Sequence, residues 1–306
     1  MLIWRSFTHW IGGMGVLVFI LCLLPLTGGY HMNLMKAESP GPSVSKLVPK
    51  VQSTAKILYT IYIILTIVEI IFLLIGKMPL FDTLCLSFGT AGTGGFGVKN
   101  DSIASYSTYN QVVITVFMIL FGINFNAYYL LLTKKVMQAA KNEEVRYYLG
   151  IIGLAIVAIA INTREMFTSF GSAFQQAAFQ VGSIITTTGY ATTDFNVWPV
   201  FSKTILVILM FVGACAGSTG GGIKVSRLLI LCKSARKELQ LYLHPNAVKK
   251  IKMDDKAIPH EVVRATNMFL FVYIMIFVTS LLIISLDNLD MVSNFTAIAA
   301  TLNNIG

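Results

Sequence analysis

Ile184-Ile185-Thr186-Thr187-Thr188-Gly189-Tyr190-Ala191-Thr192-Thr193 is a run of hydroxyl-bearing residues closed by a glycine and an aromatic ring. It follows a moderately apolar stretch at 167–182 that is too short to cross a bilayer, and that stretch follows an apolar run at 149–161. The same order occurs earlier in the chain. A long apolar run ends at Ile75, Met78-Pro79-Leu80-Phe81-Asp82-Thr83 opens a short amphipathic stretch, and Thr90-Ala91-Gly92-Thr93-Gly94-Gly95-Phe96 closes it. A third copy starts after the last apolar run, where 289–300 leads into Thr301-Leu302-Asn303-Asn304-Ile305-Gly306. Self-similarity of this kind sets the whole architecture. Each unit reads as membrane helix, half-helix and turn, and the first two continue into another membrane helix. The expected fold is an all-α polytopic membrane protein, with repeated helix–pore loop–helix units around a central ion pore.

Composition agrees. The 306 residues are 55% hydrophobic and 12% charged, against about 25% charged in an ordinary soluble domain. Apolar runs at 11–26, 57–75, 112–132 and 268–284 approach the roughly 20 residues a spanning helix needs. Two more, at 149–161 and 204–232, are respectively short and interrupted by glycines. The net charge of +9 does not point to nucleic acid, because 18 of the 23 Lys and Arg residues fall in three connections: 28–56, 134–146 and 224–265. By the positive-inside rule those connections are cytoplasmic. Cys22, Cys85, Cys215 and Cys232 stand singly, and His9, His31, His244 and His260 are scattered, so neither type forms a metal or catalytic pattern. The N-terminal 26 residues lack a small-residue cleavage site and precede further spans, so they read as membrane helix rather than signal peptide.

The turns carry the chemistry. Irregular backbone at membrane depth survives only where protein buries it or where it lines a wet cavity. Gly95 and Gly189 each precede an aromatic residue and follow small or hydroxyl residues, which lets backbone approach a ligand closely. Carbonyls from several such loops can replace a cation's hydration shell without any charged side chain, and half-helices aim their negative C-terminal ends at the same point. In the run 204–232, Gly213, Gly217, Gly220, Gly221 and Gly222 fall within ten residues, and at about 1 kcal/mol each they unwind a helix. The bland reading of that run is a close-packing seam through Gly213 and Gly217.

Other patterns carry less. Gly92-x-Gly94-x-x-Gly97 fits a dinucleotide fingerprint by chance, without a strand before it, and the Walker-like run at 217–226 is broken by Ile223. Gly12, Gly13 and Gly15 read as helix packing. Glu69 lies inside a span, where an ionisable residue suggests a relay, although its nearness to Gly76 and Lys77 lets it approach the outer interface or a neighbouring helix. Enzyme chemistry would need convergent titratable groups inside the membrane, and only Glu69 is there. A broken-helix secondary transporter is the remaining rival.

Read together, Arg5-Ser6-Phe7-Thr8-His9-Trp10-Ile11-Gly12-Gly13-Met14-Gly15, Pro40-Gly41-Pro42, the two Gly-aromatic loops, Gly217-Ser218-Thr219-Gly220-Gly221-Gly222-Ile223-Lys224 and Asn303-Asn304-Ile305-Gly306 resemble the TrkH family of the Trk/Ktr/HKT superfamily. The resemblance runs the whole length. It implies four helix–pore loop–helix repeats around one pore, with one filter glycine from each. Under it, the filter comprises Thr93, Gly94, Gly95, Thr187, Thr188, Gly189, Asn304, Ile305 and Gly306, with K+ held at Gly95, Gly189 and Gly306. Gly213, Gly217, Ser218, Thr219, Gly220, Gly221 and Gly222 would form an intramembrane gate. The implied division is 1–27, second helix of repeat one; 28–50, cytoplasmic connection; 51–140, repeat two; 141–232, repeat three with a broken second helix; 233–262, basic cytoplasmic connection; 263–306, first helix and pore loop of repeat four. The chain is then expected to be a fragment, lacking the first filter loop and the last helix. Expected further are potassium uptake at the inner (plasma) membrane, no cofactor, a homodimer in the lipid bilayer, and a TrkA-like cytosolic nucleotide-binding subunit docking on the basic connection. A sodium-coupled or sodium-permeable transporter of the same superfamily is the alternative.

Overall fold

The structure, a computed structural model, describes residues 1–15, 51–244 and 250–305. Gly306, Cys22, the connection expected at 28–50 and Pro40-Gly41-Pro42 lie outside the described residues. Twelve α-helices and one two-stranded hairpin are described. Helix α1 is Leu2–Gly13. The stretch expected as repeat two holds α2 (Val51–Ile75), α3 (Leu80–Ala91), α4 (Thr108–Phe121) and α5 (Phe125–Leu132), and the short α6 (Val136–Ala140) connects it to the stretch expected as repeat three. That stretch comprises α7 (Glu143–Asn162), α8 (Phe170–Ile185), α9 (Val200–Val212) and α10 (Val225–Leu243). A hairpin of β1 (Lys252–Met253) and β2 (Lys256–Ala257) then leads into α11 (His260–Ile284) and α12 (Met291–Leu302).

Length and composition sort these helices. Among the described residues, Ala55–Ile75, Glu143–Asn162 and His260–Asp287 are long and apolar enough to span a bilayer. The run expected to be short at 149–161 therefore sits inside a full 20-residue helix. The half-helices α3, α8 and α12 begin where the sequence signals it. Pro79 precedes α3, while the side chains of Ser169 and Asp290 cap α8 and α12 by accepting from the backbone N–H groups of Ser172 and Ser293 at 3.2 and 3.0 Å. Helix α10 runs to Leu243, so the basic connection expected from 233 starts inside a helix.

One expectation is overturned. The apolar run 112–132 is not one helix: α4 and α5 meet at a 91° bend. Gly122 ends α4, and the Asn124 side chain caps α5 by accepting from Asn126 N–H at 2.9 Å. Apolar composition alone does not reveal such a break, whose freed backbone groups bond to another repeat, as described below.

Two buried clusters form the interior. One joins Tyr62 and Leu73 of α2 to Leu86 of α3 and to Ile114, Phe121 and Phe125, with Trp10 of α1 packed on it. The other joins Tyr148, Ile159, Val181, Ile185, Leu206, Val225, Phe277 and Ile298. Helix α11 buries little besides Thr266 and Phe277, and leaves Phe271, Ile274, Met275 and Leu282 outward, as a lipid-facing helix does. Of the N-terminal glycines, Gly13 lies against Gly92 and the Tyr62 hydroxyl, whereas Gly12 faces open space. At the outer surface the Tyr106 hydroxyl donates to Asp82 at 2.8 Å. Burial, and then that carboxylate, push its phenol above the usual range.

A methyl group at Gly122 would run into the Tyr148 hydroxyl and the Thr186 side chain. Gly122→Ala is therefore expected to cost about 1–3 kcal/mol by overpacking, read as a lower melting temperature in detergent. Tyr148→Phe in that background should recover part of it.

Candidate functional site

Three turns share one backbone design. Helix α3 ends at Gly92, α8 at Thr186 and α12 at Asn303, and the next residue of each is left-handed although it is not glycine: Thr93 at φ 52°, Thr187 at 59° and Asn304 at 57°. In each turn the residue after that donates its N–H five residues back: Gly94 to Gly89 O at 2.7 Å, Thr188 to Ser183 O at 2.9 Å, and Ile305 to Ala300 O at 2.8 Å. This wrap satisfies the last carbonyls of a helix inside a medium without water. Left-handed backbone costs a threonine about 1–2 kcal/mol, so holding it at both Thr93 and Thr187 marks a constrained site. Gly95 and Gly189 follow at φ 69° and 89°, where only glycine is unstrained. Gly306 lies outside the described residues.

Side chains lock these turns from behind. Ser183 Oγ donates to the Tyr190 carbonyl at 2.6 Å, and Tyr190 Oη donates to Leu86 O of α3 at 3.2 Å, which ties the third repeat's turn to the second repeat's half-helix. Above them, Ile103 N–H donates to Ala191 O at 3.0 Å, and Ala191 N–H donates to Ser102 Oγ at 3.2 Å. His9 of α1 lies against Gly94 and stacks on Phe96 at 5.4 Å, while Arg5 donates to Gly97 O at 3.0 Å. Thr186, Thr187 and Thr188 are fully buried, and Thr93 nearly so.

The glycine-rich segment lies against all three turns. Between α9 and α10 the chain is not helical, and Gly213, Gly217, Gly222 and Lys224 have φ of 71°, 70°, 78° and 81°. Thr93 Oγ1 donates to Thr219 O at 3.3 Å, and Gly221 N–H donates to Thr187 Oγ1 at 2.6 Å. A Cβ at Gly220 would meet Thr186 O, and one at Gly221 would meet Asn303 O. Glycine is thus required here by closeness to the ends of two half-helices rather than by packing between helices. The seam reading of Gly213 fails for the same reason, since its neighbours are Gly221 and Gly222 of its own loop.

The other face of the loop is tied down by the break in repeat two and by one carboxylate. Cys215 N–H donates to Gly122 O at 3.0 Å, Thr219 N–H to Phe121 O at 3.4 Å, and Phe125 N–H to Gly217 O at 3.0 Å. Glu144, only 3% exposed, accepts from Ala216 N–H at 2.6 Å and Ser226 N–H at 3.1 Å through Oε1, and from Asn124 Nδ2 at 3.2 Å through Oε2. Lys224, also buried, returns its ammonium to Gly220 O within the loop. Sequence reading missed both: Glu144 follows Asn142 and Glu143 and looks like ordinary acid at a helix start, and Lys224 looks like the first cytoplasmic cation.

Comparison with known proteins gives the family and the fold. The sequence pattern of the TrkH family, described as cation transport protein, matches residues 1–306. The chain belongs to the TrkH family. It is 35% identical over 310 residues to the Trk system potassium uptake protein TrkH of Escherichia coli K12, and 38% identical over 313 residues to that of Vibrio parahaemolyticus. Both matches take in all of this chain and 64% of the relative. The crystal structure of the potassium transporter TrkH from Vibrio parahaemolyticus superposes with a TM-score of 0.85 at 34% identity, over all of this chain and 63% of that one. This TrkH-family chain thus spans a little under two thirds of the relatives it matches, and it keeps the family's polytopic helical fold.

Removing the Glu144 carboxylate orphans three buried donors. Glu144→Ala is expected to cost about 3–5 kcal/mol, as when one partner of a buried charged group is lost. Hydrogen exchange at the Ala216 and Ser226 amides should accelerate, whereas Glu144→Gln, which retains an acceptor oxygen, should show less of both effects.

Proposed function

We propose that this chain supplies most of the ion path of a bacterial potassium-uptake protein at the inner membrane, with K+ as cargo and no enzyme chemistry. The observation that carries the reading is the convergence of three identically built turns on one unwound segment. Thr93, Gly94, Gly95, Thr187, Thr188, Gly189, Asn304, Ile305 and Gly306 would present the backbone oxygens of the filter, with K+ coordinated at Gly95, Gly189 and Gly306. Carbonyl coordination suits an alkali cation, because it replaces hydration oxygens with dipoles and adds no fixed charge that would trap the ion. The ends of α3, α8 and α12 add their negative dipoles at the same depth.

The segment from Gly213 to Gly222, including Gly217, Ser218, Thr219, Gly220 and Gly221, would serve as the gate. It presses against the turns at Thr93, Thr187 and Asn303, and its own hydrogen bonds come largely from Gly122, Phe121 and Glu144. Such a segment would open by exchanging hydrogen bonds rather than by moving a packed helix. The relatives named above are components of a Trk potassium uptake system, and a TrkA-like nucleotide-binding subunit would act on this segment from the cytoplasmic side. Helix α10 and the hairpin offer it a basic surface there, with Lys233 already paired to Glu143 at 2.5 Å. Homodimerisation in the bilayer completes the proposal.

The test is uptake by a potassium-starved host carrying the full-length gene, with K+ and Na+ compared. Growth rescue by K+ is expected. Gly189→Ser should lower the preference for K+ over Na+ by about tenfold, the equivalent of ~1.4 kcal/mol, and unchanged selectivity would remove the filter assignment. Deleting 214–221 should raise open-state conduction, so equal conduction would remove the gate assignment.

A further inference from the structure

Helix α2 turns one stripe inward, made of Tyr62, Thr66, Glu69 and Leu73, none more than 3% exposed. Three of the four are polar. Tyr62 Oη donates to Trp10 O at 2.8 Å, and Trp10 Nε1 donates to Thr66 Oγ1 at 3.1 Å, so the first two fasten α1 to α2. Glu69 takes no part in that contact. It is fully buried beside the Thr90 hydroxyl, and among the described residues neither of its carboxylate oxygens has a partner in good hydrogen-bond geometry.

Its surroundings lie behind the filter turns. The polar groups facing it are the Thr90 hydroxyl in the last turn of α3, the Tyr190 phenol that follows Gly189, and the Tyr62 phenol on its own helix. No cationic side chain pairs with it: the one ion pair among the described residues is Lys233 with Glu143, and Arg5 is engaged at the carbonyls of Phe96 and Gly97. An unpaired carboxylate sealed from water costs far more than a half-helix packing contact returns, so the group is stable here only as the uncharged acid. The neighbouring hydrogen bonds have a matching direction. Thr90 Oγ1 spends its proton on Leu86 O at 2.9 Å, and Tyr190 Oη spends its own on the same carbonyl at 3.2 Å. Thr90 Oγ1 is left with lone pairs and no proton to give, and an acid O–H is the complementary group.

We propose that Glu69 is a positioning residue of the filter: as an uncharged acid it donates to Thr90 Oγ1 and braces the Thr90–Leu86–Tyr190 link that sets the separation of the Gly95 and Gly189 loops. Thr90 O also accepts from Thr93 N–H at 3.2 Å, at the left-handed residue of the second repeat's turn, and Gly89 is a glycine because the Tyr190 hydroxyl occupies the space a Cβ would take. Bracing from behind matters for a carbonyl-lined site, since ion preference depends on how far the ring of dipoles can contract or expand.

This inference rests on the filter reading above, and the test separates the two. The full-length protein is reconstituted as wild type, Glu69→Gln, Glu69→Leu and Tyr190→Phe, and the K+ to Na+ uptake ratio is measured with the melting temperature of each. Gln retains an N–H donor without charge, so E69Q should hold the wild-type ratio. Leu keeps the volume and removes the donor, so E69L should lower the ratio about fivefold, the worth of one hydrogen bond. Tyr190→Phe cuts the far end of the link and should lower the ratio in the same direction. A wild-type ratio in E69L overturns the proposal, as does an E69Q ratio as low as that of E69L, which would mean that an ionised carboxylate acts there. A loss of melting temperature alike in E69Q and E69L, with both ratios unchanged, also overturns it and leaves only a structural role. If wild type itself takes up no K+, the filter reading fails first, independently of Glu69.

Discussion

Backbone hydrogen bonding without water governs this structure. Inside a bilayer an unpaired N–H or C=O costs several kcal/mol, yet the chain leaves helical geometry at five places of membrane depth: three turns, the segment 213–224 and the break at 122–124. Four of these irregular places, all but the turn at 303–305, satisfy one another. The break gives its carbonyls at Phe121 and Gly122 to the segment and takes Gly217 O in return, while the segment gives Gly221 N–H to Thr187 and takes a proton from Thr93. Remove the segment, and the break and the turns at Thr93 and Thr187 lose partners that no solvent replaces.

Reciprocal satisfaction explains why small residues gather where they do. Gly220 and Gly221 lie almost in contact with the carbonyls of Thr186 and Asn303, and Gly122 lies beneath the Tyr148 hydroxyl. The cost in helix propensity is met by backbone bonds that a larger residue would prevent. Glu144 completes the arrangement. Its carboxylate gathers two backbone N–H groups and an amide from three separate stretches of chain, which is how one buried charge is rendered tolerable.

The same economy bears on transport. The segment 213–224 is held mainly by bonds to other stretches of chain, at Phe121, Gly122, Glu144 and Thr187, whereas each turn closes first on its own half-helix. The turns are braced by Ser183, Tyr190, Ser102 and the i−5 wraps. That contrast fits the filter and gate roles proposed above for the turns and the segment.

Much of the fold was legible in the sequence because its signals are local. Three of the apolar runs lie in helices long enough to span a bilayer, the recurring half-helix and turn appears as three like-built turns, and the glycines at 213–222 lie in an unwound segment. Positions such as Gly95 and Gly189 stood out because only glycine accepts their backbone without strain. What the sequence could not decide was pairing. A bend inside the uniformly apolar run 112–132 depends on partners some 95 residues away, and Glu144 reads as a commonplace helix-start acid until Ala216 and Ser226 are seen to reach it. Glu69 likewise reads as an acid that approaches either the outer interface or a neighbouring helix, and only the tertiary packing around α2 shows that it is sealed from water. Periodicity and composition report the environment a residue needs; which distant group meets that need is set by how the repeats come together.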